Sequence, residues 1–149
     1  MNDNAKPQVP AYTFLGTPAA TAEALANWPR LHEPFPLVVG FSRLGHAFLQ
    51  NPEAKQFAVV YPLEGGMKAY NAADMDEFRA TVLDDPGFQQ YILPGSLLTP
   101  IIERIGPIAP NEVYMPVPYP MLGGSGEPDT YSKGDVWVFL DIVGQIWQR

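Results

Sequence analysis

The chain of 149 residues contains no cysteine, which excludes disulfide staples, thiolate metal sites and a cysteine nucleophile. Histidine is almost as scarce. His32 and His46 are the only two, and no acidic or imidazole groups stand at a metal-ligand spacing, so neither a metal nor a cofactor is implied. Basic residues are few, nine against sixteen acidic ones, for a formal net charge of −7. A protein that tracks nucleic-acid phosphates needs a Lys/Arg footprint, so direct nucleic-acid binding is not expected. No apolar run approaches the roughly 20 residues of a membrane-spanning helix. The start, MNDNAKPQVP, also lacks the basic-then-apolar pattern of a secretory signal. The expectation is a cytoplasmic protein with no membrane association.

What is present argues for a folded chain. At 46% hydrophobic and 12% aromatic residues the sequence lies outside the disordered regime. A chain of about 150 residues buries roughly 68–70% of its unfolded surface, enough for a core without staples. Seventeen prolines and thirteen glycines then favour short elements joined by turns. Residues 1–18 read as a polar lead-in arm, and 19–149 as a single domain.

Along the chain, Ala19–Trp28 is alanine-rich and reads as a helix, capped by Thr17 with Pro18 in its first turn and stopped by Pro29. Phe35–Val39 suggests a short strand, with Pro36 confining it to an edge or to the start of pairing. Arg43–Leu49 reads as a turn or half-helix. Gln56–Tyr61 is β-branched and aromatic, and the turn Pro62–Gly66 returns it as a hairpin through Met67–Tyr70. A helix follows, capped by Asn71 or Asp74, with Met75, Phe78 and Val82 on one stripe and Pro86-Gly87 as its breaker. Phe88–Leu93 is a short apolar piece. Ser96 is placed to cap a helix with Leu97, Leu98, Ile101, Ile102 and Ile105 at helical spacing and Gly106 at its end. Glu112–Met115 reads as a strand and 116–128 as a long loop. Asp135 opens a last helix over Val136–Trp147 that is apolar around most of its circumference. Together these elements predict an α+β fold: a mainly antiparallel sheet with a hairpin, covered by helices, the apolar C-terminal helix central.

The chemistry-bearing motifs are weak. Gly123-Gly124-Ser125-Gly126 lacks the Lys-Ser/Thr of a phosphate-binding loop and is followed by Glu127 and Asp129, so a turn or close backbone packing explains it. Ser125 lacks the strand–turn–helix setting and second glycine of a nucleophile elbow. An enzymatic or small-ligand reading would need His46, Glu112 and Tyr114 to converge in a pocket near Gly123–Gly126. The acidic residues are more informative. Residues 1–73 hold five acidic and five basic groups, whereas 74–149 hold eleven against four. Asp84-Asp85 is the densest point, placed at a helix C-terminus that the helix dipole disfavours.

The order of segments resembles a known family. The stretches GHAFLQNPEAKQFAVVYP, DMDEFRATVLDD, SLLTPIIERIGPIAPNEVYMPVPYPMLGG and DVWVFLDIVGQIWQ are similar, over about residues 40–148, to GAD-like domains joined to the type VI secretion DNase-immunity C-terminal domain. The matching positions are Gly45, Phe48, Leu49, Glu112, Tyr114, Leu122, Gly123 and Gly124, all fold-bearing. The departures are the prolines of 116–120 and the stretch Ser125–Pro128. The resemblance implies a non-enzymatic antitoxin that binds a co-encoded effector, a DNase in the best-understood members, with no catalytic residues. Nucleases carry basic clefts, so an acidic face would complement one. Asp74, Asp76, Glu77, Asp84, Asp85, Glu127 and Asp129 are the residues expected on that face, with Tyr119 and Met121 as apolar anchors. A structural adaptor of a secretion system is a further alternative.

Overall fold

A computed structural model describes residues 11–148. Five antiparallel strands form a meander in sequence order: β1 (Tyr12–Ala20), β2 (Leu37–Ser42), β3 (Ala47–Asn51), β4 (Gln56–Tyr61) and β5 (Gly66–Asn71). A four-residue helix, α1 (Thr21–Ala24), lies between β1 and β2. Next come α2 (Met75–Phe78), running on into a π-helical turn at Arg79–Leu83, then α3 (Pro86–Ile92) and α4 (Gly95–Ile105). A two-stranded ribbon of β6 (Glu112–Pro116) and β7 (Tyr131–Asp135) leads into α5 (Val136–Trp147). The fold is α+β, as the sequence predicts.

Strand alternation sends side chains to two covered faces. Val38, Ala47, Leu49, Ala58 and Val60 pack with Leu25, Trp28, Phe35 and the buried stripe of α5: Val136, Phe139, Leu140 and Val143. Val39, Phe48, Phe57 and Val59 pack on the opposite face with Phe78, Val82 and Leu83. The sheet is therefore a middle layer, which is why its central strands read as continuous apolar runs rather than alternating ones. A third cluster, around Ile92, Leu98, Ile101, Tyr114 and Tyr131, joins α3 and α4 to the β6–β7 ribbon.

The hydrogen bonds that hold α5 are specific. Asp135 caps it by accepting from Trp137 N–H and Val138 N–H (2.9 and 3.0 Å). Trp28 Nε1–H donates to the Leu140 carbonyl at 2.8 Å, and Trp147 Nε1–H to that of Pro62 at 2.7 Å. At Gly45, with φ +90°, a Cβ would sit 2.4 Å from the Phe139 ring, so the β2–β3 turn and α5 meet where a side chain has no room.

Several local expectations are corrected. Of the lead-in arm, residues 1–10 lie outside the described residues, whereas Tyr12–Ala20 is the edge strand β1. Its Gly16 and Pro18 are tolerated because the register slips between Phe14 and Ala19. The helix expected over Ala19–Trp28 shrinks to Thr21–Ala24: its first two residues are taken by β1, and Leu25 leaves the helical conformation at φ −121°, ψ 49°. Arg43–Leu49 does not form a half-helix; Ala47–Asn51 pairs with both neighbours as β3. Pro86 opens α3 at its first turn instead of ending order, and Phe88 lies inside that helix. Helix α4 starts at Gly95, one residue before Ser96, and carries Pro100 in its interior. Strand β7, with the sequence YSKGD, has no apolar pattern and exists through pairing with β6.

Candidate functional site

The acidic residues of the first clear helix are placed by capping chemistry. Asp74 is the N-cap of α2 and accepts from Glu77 N–H at 2.9 Å, while Glu77 Oε1 accepts from Ala73 N–H at 2.7 Å. This reciprocal arrangement satisfies one of the donors that the helix start leaves open and the N–H of the residue just before the cap. Asp84 accepts a short hydrogen bond from the Tyr12 hydroxyl, which fastens the π-helical turn to edge strand β1. Burial, and then the bond to Asp84, pushes the Tyr12 pKa up to about 12. Asp85 is the N-cap of α3, accepting from Phe88 N–H at 2.9 Å. The doublet thus divides: Asp84 closes the π-helical turn as its C-cap, the helix end that the sequence predicts, while Asp85 opens α3, where the dipole favours a carboxylate.

Of the seven carboxylates expected on the acidic face, three cap no backbone donor and hold no tyrosine among the described residues. Asp76 has a side chain 90% exposed and only a 3.5 Å contact to Arg79. Glu127 precedes the short 3-10 turn Pro128–Thr130 and Asp129 lies within it; both are exposed, and their carboxylates make no hydrogen bond among the described residues. Tyr119 and Met121 do not project beside the acidic helix. Both are partly buried against the α5 face of the sheet, Tyr119 edge-on to Phe139 at 5.8 Å, whereas α2 covers the other face. The structure brings the five residues 74–85 into one helical layer and leaves the two apolar positions on the far side of the sheet.

The glycine loop is structural. Gly123 has φ +98°, and a Cβ on Gly124 would lie 1.9 Å from the Pro118 carbonyl oxygen, so the loop needs both glycines to close. None of the three cavities described here touches it. The proposed convergence of His46, Glu112 and Tyr114 is half realised. His46 and Tyr114 line one cavity of about 190 Å³, while Glu112 borders another beside β1 and accepts from Ala109 N–H at 2.8 Å.

That first cavity was not legible in the sequence. Its walls come from β4, α3, α4, both strands of the ribbon and the turn before β3, including Tyr61, Tyr91, Leu97 and Tyr131. No local periodicity joins such residues. Ser42 Oγ accepts from Leu44 N–H (3.2 Å) and His46 N–H (3.1 Å), and lies 2.7 Å from His46 Nδ1. With both acceptor sites used, its single hydrogen goes to Nδ1, so the neutral imidazole carries its proton on Nε2. Burial lowers the His46 pKa to about 4, which keeps the ring neutral at physiological pH. The Tyr114 hydroxyl is already committed, donating to the Gly106 carbonyl at 2.6 Å. Among the described residues, His46 has no side-chain hydrogen-bond partner other than Ser42.

A family model described as T6SS immunity protein Tdi1, C-terminal, matches residues 72–147, just over half of the chain. The chain belongs to this type VI secretion immunity family. The matched segment starts immediately after β5 and ends on the last residue of α5, so it comprises every helix and ribbon strand that covers the five-stranded sheet except α1. The crystal structure of Atu4351 from Agrobacterium tumefaciens has a similar fold, with a TM-score of 0.60 and 13% identity over 91% of this chain. The chain spans 66% of the length of that structure. No curated protein sequence matches this immunity protein significantly. Among the described residues, no group of carboxylates and imidazoles is placed to hold a metal ion, and no helix is long and apolar enough to cross a membrane.

Proposed function

We propose that this immunity protein neutralises a nuclease effector, a DNase, by binding it in the cytoplasm through an acidic surface and without catalysing a reaction. The observation that carries the reading is the coincidence of family and charge. The family-matched segment 72–147 holds eleven acidic residues against three basic ones, while the strands before it are balanced. A nuclease presents a basic cleft for phosphate, so an acidic partner gains electrostatic complementarity and a faster on-rate. A standard interface needs about 800 Å² on each partner, an extent that a helical layer and one turn can supply.

The structure changes how the reading is tested. Charge reversal at Asp84 or Asp85 would remove the Tyr12 contact or the α3 cap, confusing binding with folding. The clean variant is the triple reversal Asp76→Lys, Glu127→Lys and Asp129→Lys, three side chains without structural hydrogen bonds beyond the weak Arg79 contact. Titration calorimetry against the co-encoded effector should show at least tenfold weaker binding and a flatter dependence on salt. An affinity and salt slope equal to the wild type would remove the acidic surface from the mechanism.

A further inference from the structure

The His46 cavity has the properties of an anchor pocket. At about 190 Å³ it exceeds the roughly 150 Å³ known to admit a benzene ring. Its lining is mainly apolar, and Tyr91 stands at its edge with 68% of its surface exposed, edge-on to Tyr61 at 6.2 Å. Tyrosine hydroxyls and His46 are polar groups of this lining, and His46 is a donor whose ring is fixed from behind. His46 Nδ1 is held by Ser42, and Nε2–H has no hydrogen-bond partner among the described residues. A hydrocarbon filling the cavity would leave that donor unsatisfied, at a cost of about 1–3 kcal/mol. A ring bearing an acceptor oxygen would satisfy it. Glu64, exposed on the hairpin turn, adds a carboxylate at the rim.

We infer that this cavity receives a phenol ring, the side chain of a tyrosine presented by the bound effector, with the phenolic oxygen accepting from His46 Nε2–H. The inference rests on the effector-binding reading above. It adds an apolar anchor to a surface otherwise defined by charge, in the place that Tyr119 and Met121 do not fill. Buried aromatic side chains seated in a partner's pocket are the usual centres of binding energy, and charged rims contribute mainly to rate and orientation.

Two arms test it. In the first, p-cresol and toluene are titrated into the free protein and followed by amide and imidazole NMR shifts. The expectation is that p-cresol shifts His46 and the cavity lining and binds at least fivefold more tightly than toluene. Equal binding, or none, overturns the assignment of the donor. In the second, Leu97→Trp, which fills the cavity from α4, and Tyr91→Ala, which opens its edge at an exposed position, are each measured for effector affinity, with circular dichroism to confirm folding. Both should weaken binding tenfold or more, and a Tyr→Phe scan of the effector should reveal one position whose effect vanishes in the Leu97→Trp background. If p-cresol binds but both variants hold the effector as tightly as the wild type, the cavity serves a small molecule and the inference is overturned. If the wild type fails to bind the effector while p-cresol still binds, the effector reading itself fails and takes this anchor with it.

Discussion

The proton on His46 follows from counting hydrogens around Ser42, and it has a consequence in solution. The folded pKa lies near 4 and the unfolded value near 6.5, so the unfolded chain takes up the proton first as pH falls. Stability is therefore complete above about pH 6.5 and declines between there and pH 4, because protonation favours the unfolded state. The urea midpoint should fall over that interval, and the His46 ring carbons should titrate near pH 4 by NMR. An imidazole that titrates near 6.5 would place the ring in water and contradict the cavity geometry. At the same scale, the carboxylates divide by what they already hold. Asp74, Glu77 and Asp85 satisfy backbone donors at helix starts and Asp84 holds Tyr12, whereas Asp76, Glu127 and Asp129 keep their charge available. A charge count treats the seven alike; the hydrogen bonds do not.

Among the elements, α5 shows how an apolar pattern is used selectively. Its core-facing side is Val136, Phe139, Leu140 and Val143, each 1% exposed or less, while Trp137 is only partly buried and Val138 and Ile142 remain 56% and 41% exposed. Truncating Trp137 is thus a poorer probe of the core than truncating Phe139, which fills the space under Gly45. Phe139→Ala should cost roughly 3–5 kcal/mol in urea unfolding, and Trp137→Ala about 1–3 kcal/mol through its contact with Phe41. The reverse order would mean that α5 is rotated about its axis. The bounds of this helix and of β4, and the presence of the returning β5, were legible because propensity, caps and turn residues agree there. The local readings failed where tertiary pairing decided. β3 lies between covered faces and lacks alternation, β7 is polar and survives by pairing, and β1 accepts a proline because it is an edge. The cavity was invisible for a related reason. Its residues are distant in sequence, and no spacing rule brings Tyr61, Tyr91, Tyr114 and Tyr131 together.

At the scale of the whole molecule, the family-matched segment and the sheet are physically inseparable. Residues 72–147 supply the helical layer on one face and α5 with the ribbon on the other, but the sheet between them is built from residues 12–71. Each of the two large clusters mixes both parts. Phe78 stacks on Phe57 at 4.4 Å, and Phe139 and Leu140 pack with Ala47, Leu49 and Val60. The acidic part therefore depends on the charge-balanced part for its shape, which is consistent with one domain running from the first strand to the last helix. A fragment comprising residues 72–149 would expose both apolar faces to water and lose the pairing that positions α2 and α5. It should show no cooperative unfolding transition by circular dichroism and no affinity for the effector, although it carries every acidic residue proposed for the interface. Cooperative unfolding of that fragment would show that the immunity segment is a domain in its own right, and that the five-stranded sheet is an addition to it and not its support.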